Sequence, residues 1–199
     1  MDPPPQIAFS HIGLYVVDTT AMVGFYTAVL GFSITDHARI RGVDVVFLSR
    51  NPDEHHQIVL VPGRSPQAPS TVNQISFRSV SLSELRRLHA VAVALNLAGI
   101  NPTNHGGSWS LYFLDPEGNR IKLFVQTAWY MPPVSVPLDF ALSDSEIFEK
   151  TEAMVLATPG SMKRSEWRSR LQQRLSQEGT LEHRPASPGA SSFPNTEDQ

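Results

Sequence analysis

The chain has no cysteine among its 199 residues. Disulfides, thiolate metal centres, iron–sulfur clusters and cysteine nucleophiles are therefore excluded, and a cytoplasmic setting is the expectation. A charge surplus is also lacking: 16 Lys and Arg stand against 19 Asp and Glu, a formal net charge of −3. Without a basic excess, neither nucleic acid nor an anionic membrane surface is the expected partner. No run of residues is long and apolar enough to span a bilayer. Met1 to Gln6 is proline-rich, has neither the charged start nor the apolar run of a secretion signal, and reads as a flexible N-terminus. Phosphate-loop, GxSxG and dinucleotide fingerprints are missing too. What remains, 41% hydrophobic and 18% charged, is a globular composition, enough for one domain with appendages.

That domain repeats itself. Ile7 to Val17 is strand-like and ends at Asp18-Thr-Thr20, which resembles a helix start. Met22, Phe25, Tyr26, Val29 and Leu30 then recur at the spacing of a helix lying on a sheet, and Gly31 closes it. Strands are expected at 32–38, 44–49 and 56–61. After a Pro/Gly/Ser-rich linker (62–70) the order starts again, with a strand at 72–80 and a Ser81/Glu84 capping box. Leu85, Leu88, Ala92 and Leu95 form the second helix stripe, with Gly99 at its end, and strands follow near Ile100 and at 108–114 and 119–126. Each half reads as βαβββ, offset by about 63 residues, so that His11 corresponds to Gln74 and Ile58-Val-Leu60 to Ile121-Lys-Leu123. One half cannot cover both faces of its own sheet. Two halves, 7–62 and 71–127, are expected to form an α+β incomplete barrel with helices outside and a cavity inside.

The remainder is helical and then featureless. Ser143 and Glu146 make another capping box, opening a helix with Ile147, Thr151, Met154 and Val155 on one side. A second helix is expected from Met162 to Gln177, its Trp167, Leu171, Leu175 stripe packing on the domain or a partner subunit. Residues 128–178 thus form a helical extension. Residues 179–199, rich in Pro, Ser, Gly and acids, are expected to be disordered.

Three segments, His11-Ile-Gly-Leu-Tyr-Val16, Phe25-Tyr-Thr-Ala-Val-Leu-Gly-Phe32 and Ser110-Leu-Tyr-Phe-Leu-Asp-Pro-Glu-Gly-Asn119, carry a resemblance. They resemble the vicinal oxygen chelate superfamily, which includes glyoxalase I, extradiol dioxygenases, fosfomycin-resistance enzymes and bleomycin-binding proteins. Asp53-Glu-His55-His56-Gln-Ile-Val-Leu60 and Val125-Gln-Thr-Ala-Trp-Tyr130 look most like the single-module extradiol dioxygenase-like branch. The resemblance covers 7–127 and implies a small-molecule substrate and a homodimer.

It also implies a metal site with slots that this chain fills oddly. The extradiol type uses two His and one Glu, leaving positions open on Fe(II). The first slot holds His11, the second Gln74 and the third Lys122, while the extra glyoxalase-type slot holds Val59. An ammonium beside a divalent cation repels it, so no metal is favoured; a rebuilt Fe(II) site would use His11 and His55. Strand alternation puts His55 on the cavity side and His56 outside, an order that a bulge reverses. His37, His89 and His183 read as hydrogen-bonded core residues.

The cavity is expected to be lined by His11, Tyr15, Gln74, Arg78, Tyr112, Lys122 and Phe124, with His105 at its mouth, apolar walls with few polar groups. His11 is the expected acid or base. Lys122 is a base or the cation that steadies an enolate or phenolate, unless it is simply a solvated wall residue. Three functions follow, in this order. The first is metal-independent acid/base chemistry (isomerisation, elimination, ring opening or cyclisation) on an aromatic or polyketide-like molecule. The second is a ring-cleaving dioxygenase on a rebuilt Fe(II) site, and the third is non-catalytic small-molecule binding. The acids of Asp115-Pro-Glu-Gly118 read as turn chemistry.

Overall fold

Alternation along the first strand decides the layering: Leu14 and Val16 are buried while Gly13 and Tyr15 are exposed. The computed structural model describes residues 7–178, so the expectations for 1–6, 179–199 and His183 lie outside the described residues. The first repeat contains β1 (Ile12–Val16), α1 (Thr19–Ala28), β2 (Ser33–Ile40), β3 (Val43–Ser49) and β4 (Ile58–Pro62). The second contains β5 (Ile75–Arg78), α2 (Leu82–Ala94), β6 (Asn101–Asn104), β7 (Ser108–Leu114) and β8 (Arg120–Gln126). Beyond them come β9 (Trp129–Tyr130), β10 (Val136–Pro137), α3 (Asp144–Ala157), β11 (Met162–Lys163) and α4 (Arg164–Glu178).

The first sheet has the order β1-β4-β3-β2, and the second β10-β6-β7-β8-β5. In each, the first strand of the repeat runs parallel to its last, with Ile12 opposite Ile58 and Ile75 opposite Ile121. Strands β9 and β11 form a separate ribbon. The two main sheets do not close into a barrel. Their apolar faces and the helices instead feed one continuous core, in which Phe25 of α1 meets Phe113 of β7 at 6.2 Å and Phe32 meets Phe77 at 5.6 Å. Among the described residues no helix is long and apolar enough to cross a membrane.

Local chemistry explains most helix ends. Asp18 caps α1 by accepting from the Ala21 amide at 2.9 Å. The Ser143–Glu146 capping box is complete. The one at Ser81 is half-formed: Ser81 accepts from the Glu84 amide, but the Glu84 carboxylate turns to Arg87 at 2.7 Å. A charge-assisted bond to a guanidinium outcompetes one to a neutral amide. Asn96, at φ +49, takes the left-handed conformation after α2, and Gly99 belongs to the following turn. Helix α3 is fixed to the second sheet through buried Thr151, whose hydroxyl accepts from Asn104 Nδ2 at 2.8 Å and Trp109 Nε1 at 2.9 Å. The α4 stripe does not bury as a unit: Trp167 stacks on Tyr130 at 5.3 Å, whereas Leu175 is 60% exposed.

Candidate functional site

Register places Ser76, Lys122 and Tyr112 side by side across β5, β8 and β7, with Arg78 and Phe124 one pleat further along. These residues occupy the face of the second sheet opposite the core. Over that face lies a cavity of about 650 Å³ lined by Lys122, Phe124, His105, Met131, Val134 and Arg164, among others. Lys122 Nζ sits 5.5 Å from the Tyr112 ring centroid and 5.4 Å from that of Phe124, a cation held between two π faces. Among the described residues it has no ion-pair partner.

His105 joins this group through Tyr112. Its Nδ1 lies 2.5 Å from the Val134 carbonyl oxygen, and its Nε2 lies 2.8 Å from the Tyr112 hydroxyl. A carbonyl only accepts, so Nδ1 carries the proton and donates, leaving Nε2 to accept from the phenol. Burial pushes the His105 pKa below its usual 6.5; the Val134 bond opposes this and the Lys122 charge adds to it. The imidazole is therefore neutral and able to take a proton. As pH falls, the unfolded chain protonates this histidine before the folded chain does, so unfolding takes up a proton. Its contribution to stability is complete above 6.5 and lost as pH drops below that. His56, whose pKa is lowered by burial and then by the charges of His11 and His55, acts in the same direction. Urea midpoints should decline between about pH 7 and pH 5, and His105→Gln should flatten the slope; a midpoint flat in wild type contradicts the assignment.

The cavity also draws on residues with no signal in the repeat. Arg164, the first residue of α4, reaches back to donate Nε to the Thr127 carbonyl at 2.9 Å and Nη2 to the Gly107 carbonyl. Burial, then the nearby Arg78 charge, lowers its pKa. Gly106, at φ +68, lets Met131 close the wall: an added Cβ would meet Met131 Sδ at 2.3 Å.

The residues expected to line one cavity do not all meet in the cavity at Lys122. Tyr15 lies on β1, 71% exposed, and His11 just before it; neither lines the cavity at Lys122, and nor do Gln74, Arg78 and Tyr112, although Tyr112 touches both Lys122 and His105, which do. Strand parity gives the face of a residue on its own sheet, not the angle between sheets. Gln74, just before β5, is exposed and donates to Ser76 Oγ at 2.7 Å. His11 instead meets His56, ring centroids 4.3 Å apart. His55 faces Asp36 at 3.7 Å through Nε2, and its Nδ1 lies 2.9 Å from that of His56. The parity argument for His55 fails because β4 begins at Ile58, after a bend at residue 55. His37 is exposed, not a core residue, and His89 packs half-buried on Phe140.

These residues do not fit the metal implied by the family slots. Lys122 supplies an ammonium without a lone pair, Val59 no donor at all, and His11 adjoins β1 of the first sheet while Gln74 and Lys122 belong to the second repeat. His11, His55 and His56 lie together, but among the described residues no group of three or more His, Cys, Asp or Glu is placed so that it could hold a metal ion.

The sequence profile of the Glyoxalase/Bleomycin resistance protein/Dioxygenase superfamily matches residues 8–123. A 2,2',3-trihydroxybiphenyl dioxygenase from Sphingomonas paucimobilis is 26% identical over 116 residues, covering 57% of this chain but only 39% of that protein. A glyoxylase/bleomycin resistance protein/dioxygenase domain from Frankia sp. EAN1pec superposes with a TM-score of 0.52 at 20% identity, over 62% of this chain and all of the other. A genomically encoded fosfomycin resistance protein from Listeria monocytogenes gives 0.50 at 20% identity, over 62% and 96% of the two chains.

Proposed function

For a chain that belongs to the glyoxalase/bleomycin resistance protein/dioxygenase superfamily, we propose metal-independent proton transfer on a small molecule carrying an ionisable oxygen, such as an enolisable ketone or a phenol. The observation that carries this reading is the chain Val134 carbonyl, His105, Tyr112 ending beside Lys122. A substrate proton passes to the Tyr112 oxygen as the Tyr112 proton moves to His105 Nε2. The imidazolium so formed keeps its Nδ1–H on Val134, and the substrate becomes an enolate or phenolate. Lys122 and Arg164 face that oxyanion in a partly apolar cavity, where a fixed cation is worth far more than in bulk water. Returning the proton to a different carbon gives isomerisation; losing a leaving group gives elimination.

The kinship with a trihydroxybiphenyl dioxygenase supports an aromatic substrate, while the donor set supports a different reaction upon it. The test is a panel of enolisable ketones and phenols incubated in heavy water. Enzyme-dependent deuterium uptake at carbon, seen by NMR, is expected without added metal. Oxygen consumption with catechols after anaerobic Fe(II) loading, and no exchange, would replace this reading with ring cleavage. Binding without either would leave a small-molecule carrier.

A further inference from the structure

A second cavity, about 830 Å³, adjoins the first and shares Gln126 and Arg164 with it. Its walls include Arg78, Lys163, Arg164, Arg168 and Trp167, and no Asp or Glu lines it. In a chain with net charge −3, four cations converging on one cavity without a carboxylate is a local inversion of charge. Nor are these cations neutralised elsewhere. The ion pairs among the described residues use other arginines: Arg39, Arg64, Arg86, Arg87 and Arg170. Arg164 is committed only to carbonyl oxygens, which leave its charge intact. Arg78 lies close enough to Arg164 for its charge to disfavour that of Arg164. Like charges held together at the mouth of a cavity are costly unless an anion joins them. The first turn of α4 forms one wall, and the residue before it, Lys163, has no acceptor with which to cap it. The amide ends of that turn add partial positive charge, and its acidic residue, Glu166, is paired with Arg170 at 2.6 Å.

We infer that this cavity is an oxyanion subsite that takes a phosphate or carboxylate group. It adjoins the Lys122 cavity across Gln126 and Arg164, which line both. The group bound there is the anionic arm of the molecule whose reacting end lies at Lys122. This rests on the proposed function for the second half only; the subsite stands on its own charges. It narrows the substrate class to acids: an enolisable or phenolic body bearing a second, permanently ionised group.

The full chain is titrated by calorimetry with pyrophosphate and phthalate, and with benzoate as a single-charge control, while quenching of tryptophan fluorescence is followed. Pyrophosphate and phthalate separate a phosphate-selective from a carboxylate-selective subsite. Expected are saturable binding of at least one dianion, benzoate weaker, and an affinity about tenfold or more lower in Lys163→Ala/Arg168→Ala. Both side chains are exposed, and an unchanged thermal melt confirms that the double variant folds. Tyr112→Phe should bind the dianion as wild type does while losing deuterium exchange. No saturable binding, equal affinity in the double variant, or equal competition by sodium chloride at matched ionic strength overturns the subsite. Exchange on neutral substrates without dianion binding would sink the subsite and spare the catalytic reading; dianion binding without exchange on any substrate would do the reverse.

Discussion

Replacing Glu117 by alanine should lower the unfolding free energy by about 3–5 kcal/mol, as large a loss as any single side chain here outside the apolar core. Glu117 sits in the turn between β7 and β8, yet its carboxylate serves the other repeat. Oε1 accepts from the Val17 and Asp18 amides at 2.6 and 2.9 Å, at the start of α1, and Oε2 takes Arg64 at 2.7 Å. The side chains are 6% and 16% exposed, so this is a shielded pair. Removing one partner leaves a guanidinium buried and uncompensated, along with two amides without acceptors. Removing both is a different experiment. Arg64→Leu/Glu117→Leu should recover much of the loss, because two apolar side chains can replace a shielded ion pair at little net cost. Guanidinium denaturation of the two singles and the double closes the cycle. A single-variant loss below about 1 kcal/mol would mean that the pair behaves like one on the surface.

Lys122→Met should cut turnover by about 10²–10³-fold in the deuterium-exchange assay, with substrate affinity changed far less. Methionine keeps the length and the contact with the Tyr112 and Phe124 rings while removing the charge, so the loss reports electrostatics and not packing. Tyr112→Phe should cost about 10²-fold or more by breaking the relay to His105. It should also remove the pH dependence of turnover on the acid side, which a purely structural role for the phenol would leave in place. Undiminished exchange in Lys122→Met would end the oxyanion role of the amine.

The repeat was the most legible part of the fold. The parallel pair Ile12–Ile58 recurs as Ile75–Ile121, as the offset between the halves anticipates, because alternation and helix period are local properties. Strand ends were less so: β1 begins at Ile12 and β4 at Ile58, later than hydrophobicity alone implies, and the chain bends at His55 and Gln57 just before β4. At the candidate site, parity correctly aligned Arg78, Tyr112, Lys122 and Phe124 on one face. It could not reveal that His11 and Tyr15 belong to a separate face, since nothing in a strand's own alternation encodes how two sheets meet. Arg164 was invisible for a related reason. It reaches the cavity by bonding the carbonyls of Gly107 and Thr127, long-range partners that any residue type offers equally.

The extension that carries Met131, Val134 and Arg164 roofs only the second sheet. On the function proposed above, the two βαβββ repeats are thereby unequal in duty: the second houses the ligand while the first serves as frame. Selectivity can drift through 131–135 and 163–168, retuning which molecules are accepted, while the shared apolar interior is left untouched.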